Sequence, residues 1–107
     1  MIYDLRLYPT APGRTKEYID LHEQIAFPIM TQYLGQPVGY WLSMSGEINR
    51  FVHMWRFEDL GDMERKHAAL VADPAWHAYR DEALGKRGLV QRQESILLRP
   101  TSFSPLK

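Results

Sequence analysis

Apolar and polar residues alternate with a period of two from Ile2 to Tyr8. Tyr3, Leu5 and Leu7 fall on one side, and Asp4, Arg6 and Tyr8 on the other, which is the spacing of a β-strand. Pro12-Gly13 breaks the pattern. From Thr15 to Leu34 the period changes. Tyr18, His22, Ile25, Ile29 and Tyr33 recur every three or four positions. Leu21 and Ala26 widen the stripe, while Glu17, Asp20 and Glu23 are its wet positions, as in an amphipathic helix. Pro28 should kink or split this helix, and Gly35 should end it. Val38–Ser45 and Arg50–Phe57 read as strands joined by a turn at Gly46-Glu47-Ile48-Asn49, a hairpin. A second helix, Leu60–Ala72, carries Met63, His67, Leu70 and Val71 on its apolar side. At Asp73-Pro74 a fresh helix begins: the Asp side chain accepts backbone N–H bonds, and proline at the first position loses no needed donor. Trp76, Tyr79, Ala83 and Leu84 continue the stripe, and Gly85 and Gly88 end it. Leu89–Leu98 reads as a fourth strand, and Pro100 opens a short tail.

The order is strand, helix, strand, strand, helix, strand in 107 residues, with no repeat and no internal linker. One domain over residues 1–107, of class α+β, accounts for it. The simplest arrangement is a ferredoxin-like βαββαβ fold, a four-stranded antiparallel sheet with both helices on one face.

The third strand is unusual within this plan. Phe51, His53, Trp55 and Phe57 line one side, and Val52, Met54 and Arg56 the other. Neither side is a solvent face, although an antiparallel sheet commonly wets one. The helices are expected over the more aliphatic set, Tyr3, Leu5, Leu7, Tyr40, Leu42, Met44, Val52 and Met54. The open face is then expected to collect Asp4, Arg6, Tyr8, Trp41, Ser43, His53, Trp55 and Phe57. In this fold the first and third strands are neighbours, so Arg6 and Tyr8 should lie near His53 and Trp55. The fourth strand does not reveal which of its sides faces in. An aromatic face of this size would be a large exposed patch. Packed against the same face of a second copy, it would close a barrel-like homodimer around an apolar cavity with a few polar groups, the usual form of a small-molecule site.

Lys plus Arg equals Asp plus Glu at 13 each, which argues against nucleic acid or an anionic membrane as the partner. There is no cysteine, hence no disulfide, thiolate ligand or thiol nucleophile. The N-terminus lacks the basic-then-apolar layout of a signal peptide, and no apolar run reaches the roughly 20 residues of a membrane helix. A cytoplasmic protein is the default expectation. No HxxxH or HExxH spacing, phosphate loop or GxSxG elbow is present, so no metal and no cofactor are expected.

His53 has the residue type for acid–base work near neutrality. It fits a hydrogen-bonded interface histidine as well. Arg6 suits a carboxylate or a polarised carbonyl, or an ion pair with Asp4 or Glu94. Tyr8, Trp41 and Trp55 could wall a flat ligand or anchor a dimer. His22 and His67 fall on apolar stripes, where a satisfied core histidine is the expectation.

Together these residues resemble the NIPSNAP family. The marks are Tyr3-x-Leu5-Arg6-x-Tyr8, Pro12-Gly13 before the first helix, Gly46 in the hairpin turn and His53-x-Trp55-x-Phe57. Asp73-Pro74-x-Trp76 and Phe103-Ser104-Pro105 complete the set. The resemblance covers essentially the whole chain. It implies a homodimeric α/β barrel with the open sheet faces turned toward each other, and no settled activity. Related barrel families include cofactor-free monooxygenases of aromatic substrates and haem-binding proteins, an analogy of fold.

The resulting expectation is a small aromatic or polyketide-like ligand in a pocket on the open face, with cofactor-independent acid/base or oxygenase-type chemistry. His53 would move a proton, Arg6 would hold negative charge and Tyr8 would donate a hydrogen bond. Trp41, Trp55, Asp4, Ser43 and Phe57 would contact the ligand. The alternatives are a binding module without chemistry, a haem protein with His53 or His67 as axial ligand, and a purely structural dimer.

Overall fold

The computed structural model describes all 107 residues. Strands β1 (Ile2–Pro9), β2 (Gly39–Leu42), β3 (Arg50–Phe57) and β4 (Glu94–Leu98) form one sheet in the order β2-β3-β1-β4, antiparallel throughout. Helix α1 (Thr15–Leu21) runs through a π-helical turn at His22–Ala26 into α2 (Phe27–Leu34). Helix α3 (Leu60–Val71) is followed by α4 (Pro74–Arg80) and a second π-helical turn at Asp81–Lys86. The fold is the expected ferredoxin-like α+β arrangement.

Local chemistry explains the boundaries. The Asp59 carboxylate accepts from the Asp62 N–H at 2.8 Å and starts α3. Asp73 accepts from the Ala75 N–H at 2.8 Å and starts α4, with Pro74 at its first position. Gly35, at φ 83°, ends α2 in a backbone region that other residues rarely enter. Pro28 lies where the helix is split, in the first turn of α2 directly after the π-helical turn that interrupts the α-helical run. Its ring would crowd the carbonyl four residues earlier, at Gln24, and that residue lies in the π-helical turn, whose wider coil absorbs the conflict.

Two strands are shorter than their sequence pattern. β2 ends at Leu42 rather than Ser45, and β4 starts at Glu94 rather than Leu89. Leu89 is fully buried in the core, and its N–H bonds the Ala83 carbonyl, so it plugs the end of the helical layer instead of extending the sheet. Only a single bridge, Thr10 to Val90, continues the ladder there.

The faces of the sheet are the reverse of the sequence expectation. Cross-strand pairs Ile2–Phe57, Asp4–Trp55, Arg6–His53 and Tyr8–Phe51 share a face, and Tyr40 joins it opposite His53. This face packs on the helices: Tyr18 meets Phe51, His22 meets His53, and His67 meets Phe57. Asp4, Tyr8, His53, Trp55 and Phe57 are buried there, not displayed on an open face. The physical reason is volume and pairing. Helices over a sheet leave a deep gap that large side chains fill, and Trp55, Tyr18 and Phe57 are among the largest fully buried side chains. Asp4 and His53 Nδ1 find partners inside this layer, in Ser95 and Trp55, so aliphatic character is a poor guide to the inward side.

The open face carries Tyr3, Leu5, Leu7, Val52, Met54, Arg56, Trp41, Glu94, Ile96 and Leu98. Trp41, Ile96 and Leu98 are 48%, 46% and 40% exposed, so the apolar patch is real but consists mainly of aliphatic side chains. On β4, Ser95 and Leu97 share the face of Arg6 and Asp4.

Candidate functional site

His53 lies at the centre of β3 with no solvent exposure. The Trp55 indole N–H donates to His53 Nδ1 at 2.7 Å. An indole nitrogen can only donate, so Nδ1 is the unprotonated nitrogen and the neutral ring carries its hydrogen on Nε2. Nε2 is buried and has no partner. The Tyr40 ring lies parallel to the imidazole at 5.0 Å between centroids, and Tyr8 meets it edge-on at 4.9 Å. Burial, followed by neighbouring His22 and Arg6, holds the His53 pKa well below the usual histidine range. At neutral pH His53 is therefore a neutral N–H donor rather than a base.

Arg6 is the cross-strand partner of His53. Its guanidinium lies 3.7 Å from the Asp4 carboxylate and 5.7 Å from the centre of the Tyr8 ring. Asp4 is also bonded by the Ser95 hydroxyl from β4. Arg6 Nε nevertheless is buried without an acceptor. Arg6 and Tyr8 line a cavity of about 150 Å³ that also borders His67, Trp76, Arg80 and Gln93. His67 Nε2 is likewise buried and unpartnered. Burial raises the Tyr8 pKa although Arg6 pulls it down, so its phenol stays protonated at neutral pH. Burial lowers the His67 pKa, with the Arg6 charge acting in the same direction.

On the hairpin side of His53 the π-helical turn presents His22. Its Nε2 lies 3.1 Å from the Tyr40 hydroxyl, and its Nδ1 lies 3.4 Å from the hydroxyls of both Tyr18 and Tyr79. Burial lowers the His22 pKa to about 4. Burial pushes Tyr79 up to about 12 and Tyr40 higher still. A second cavity, of about 210 Å³, opens beside this pair between Ile19, Glu23, Phe27 and Phe51.

The structure thus brings His53, Arg6, Tyr8, Trp55 and Asp4 together, with Phe57 farther along the same face against His67. It separates Trp41 and Ser43 from them. Trp41 pairs with Val52 on the open face and lies over Gly39, so it cannot wall a pocket beside His53. Ser43 accepts a hydrogen bond from Arg50 Nε at 2.9 Å in the hairpin. His22, Tyr40 and Arg80 join the cluster although the sequence does not mark them as site residues, and so does His67, which enters the sequence reading only as an alternative haem ligand. Turn parity carried the signal for Tyr40: an even number of residues between paired hairpin positions sets even positions of β2 beside odd positions of β3.

The NIPSNAP family model matches residues 3–105. Protein NipSnap homolog 3A of Homo sapiens is 25% identical over 96 residues, which are 89% of this chain and 37% of that protein. The chain spans about a third of the length of the curated relatives it matches. A crystal structure of a NIPSNAP family protein with unknown function from Agrobacterium tumefaciens superposes with a TM-score of 0.91 at 34% identity, covering 100% of this chain and 94% of that one. A putative antibiotic biosynthesis monooxygenase from Nitrosomonas europaea shares the fold alone, with a TM-score of 0.65 at 10% identity over 94% of this chain and 98% of that one. With nearly the whole chain matched in sequence and in structure, this protein belongs to the NIPSNAP family.

Proposed function

We propose that the chain binds a small aromatic or polyketide-like molecule bearing an acidic oxygen, a carboxylate or a phenolate, in the helix-covered cavity beside Arg6. One observation carries this reading: Arg6 Nε and His67 Nε2 are both buried without partners, and both residues border the same cavity. A buried nitrogen of this kind costs about 1–3 kcal/mol when unsatisfied, and a ligand oxygen removes that cost. Arg80 adds a second positive charge to the lining. Tyr8 supplies a protonated hydroxyl, while Trp76 and Leu70 supply apolar surface. A cavity of about 150 Å³ lined by apolar groups holds a single benzene ring, which sets the size of the ring portion.

The chemistry that suits these groups is stabilisation of an anion. Arg6, Arg80 and Tyr8 favour the deprotonated form of a phenol or enolisable carbonyl, the form that both proton transfer and cofactor-independent oxygenation require. His53 does not line this cavity; it stands behind it as the neutral cross-strand neighbour of Arg6 and is not the proton-accepting base. Its Nδ1 is engaged by Trp55, its Nε2 carries the hydrogen, and Tyr40 stacks on one face of the ring, so this geometry gives no support to His53 as a haem ligand.

We further propose that a second copy covers the open face. Leu5, Leu7, Val52, Met54, Ile96 and Trp41 form a contiguous apolar surface on it, of the kind that marks an association surface.

The test is titration of the protein with salicylate and with benzyl alcohol, a neutral aromatic. Saturable salicylate binding that Arg6→Ala removes supports the reading. Equal binding of the neutral compound, or salicylate binding indifferent to Arg6→Ala, overturns it.

A further inference from the structure

We propose that the 210 Å³ cavity beside the first π-helical turn is a second ligand site, one that takes a small organic ammonium ion. Three of its walls are aromatic: Phe27 from α2, Tyr40 from β2 and Phe51 from β3. Tyr40 meets Phe27 at 5.6 Å and Phe51 at 5.4 Å between ring centroids, so the rings form a continuous concave surface rather than separate patches. Aromatic faces carry partial negative charge and attract a cation placed over them.

The charge of the lining points the same way. Glu23 is its one carboxylate, and it takes part in no ion pair. Lys16, one cation of the same helical stretch, is engaged by Asp20 at 2.9 Å. No lysine or arginine borders the cavity. His22, its remaining titratable neighbour besides Tyr40, is kept neutral at physiological pH by burial and does not repel a cation. An anion in this cavity would face Glu23 with nothing to balance it. The two cavities on either side of His53 therefore have opposite electrostatic character: Arg6 and Arg80 in one, Glu23 in the other.

The backbone supplies an independent observation. Glu23 and His22 both lie in the π-helical turn, and Phe27 follows it directly. A π-helical turn inside an α-helix is uncommon and recurs at functional sites. Here it sets Glu23 at the rim and His22 at the floor, where its Nε2 pairs with the Tyr40 hydroxyl.

The experiment is titration of the full chain with choline and with 3,3-dimethylbutan-1-ol, its neutral isostere, followed in a ¹H–¹⁵N correlation spectrum. The expected result is saturable choline binding with shifts at Glu23, Phe27 and Tyr40, at least about fivefold tighter than the isostere. Glu23→Gln, an exposed substitution that leaves the core intact, should weaken choline by about two- to fivefold. Equal affinity for the two compounds, shifts confined to other regions, no saturable binding, or indifference to Glu23→Gln would each overturn the proposal.

Discussion

The indole N–H of Trp55 donates to His53 Nδ1 at 2.7 Å, two residues away on the same face of β3. This contact decides the tautomer of the imidazole and so decides what His53 can do. Replacing Trp55 with Phe keeps an aromatic ring but removes the donor. His53 Nδ1 then loses its partner in a fully buried position, and stability should fall by about 1–3 kcal/mol. Chemical denaturation measures the loss. Side-chain ¹⁵N shifts of His53 should also move from a pure Nε2–H form toward a mixture of tautomers; an unchanged tautomer would contradict the argument.

Acid should destabilise the protein well above the carboxylate range. The His22 pKa is about 4 in the folded chain because of burial, against about 6.5 when unfolded. The unfolded state therefore binds the proton first, and stability rises with pH across this interval. The contribution is fully present above about pH 6.5 and is lost as pH falls toward 4, by up to about 3 kcal/mol for His22 alone. His53 is shifted in the same direction. Urea midpoints at pH 7 and pH 5 provide the comparison, and His22→Gln should flatten the difference.

Asp73 has two duties. It caps α4 through the Ala75 N–H and accepts a hydrogen bond from the Tyr33 hydroxyl at 2.8 Å, tying α2 to α4. Asp73→Ala should cost about 1–2 kcal/mol, while Tyr33→Phe should cost less, because the cap survives. Thermal melts of the two variants would settle the order.

The elements were legible in the sequence because each has its own period. The grouping of Arg6, Tyr8 and His53 was legible as well, since alternation along β1 and β3 fixes which side chains share a face. Which face the helices cover was not. Leu5, Leu7, Val52 and Met54 look more like a core than Asp4, Arg6 and His53 do, until the internal partners of the latter are known. Those partners come from far along the chain: Ser95 bonds Asp4, and Tyr40 stacks on His53. Trp41 and Ser43 fall on the other face for a related reason: the hairpin register pairs Trp41 with Val52 and sets Tyr40, not Trp41, beside His53. His22 is the satisfied core histidine that its place on an apolar stripe predicts, with three tyrosine neighbours; its place beside a cavity depends on a π-helical turn that periodicity does not reveal.

A charge on the open face should separate chains without disturbing the site. Leu7 and Met54 lie on that face, away from His53. In the double variant Leu7→Glu, Met54→Glu, light scattering should fall from dimer mass to monomer mass at micromolar concentration. A wild-type protein already monomeric under those conditions would contradict the covered-face reading.

The most direct measurement of the central claim is a salicylate titration followed at the side chains of Arg6, Tyr8, His67 and Arg80. These groups should shift together and saturate, the Arg6 Nε–H signal should move downfield as it gains an acceptor, and Arg6→Ala should abolish the response by weakening binding at least about tenfold, as expected for loss of a charge-assisted hydrogen bond. Shifts confined to the open face around Trp41 and Met54, or a titration that Arg6→Ala leaves unchanged, would contradict it.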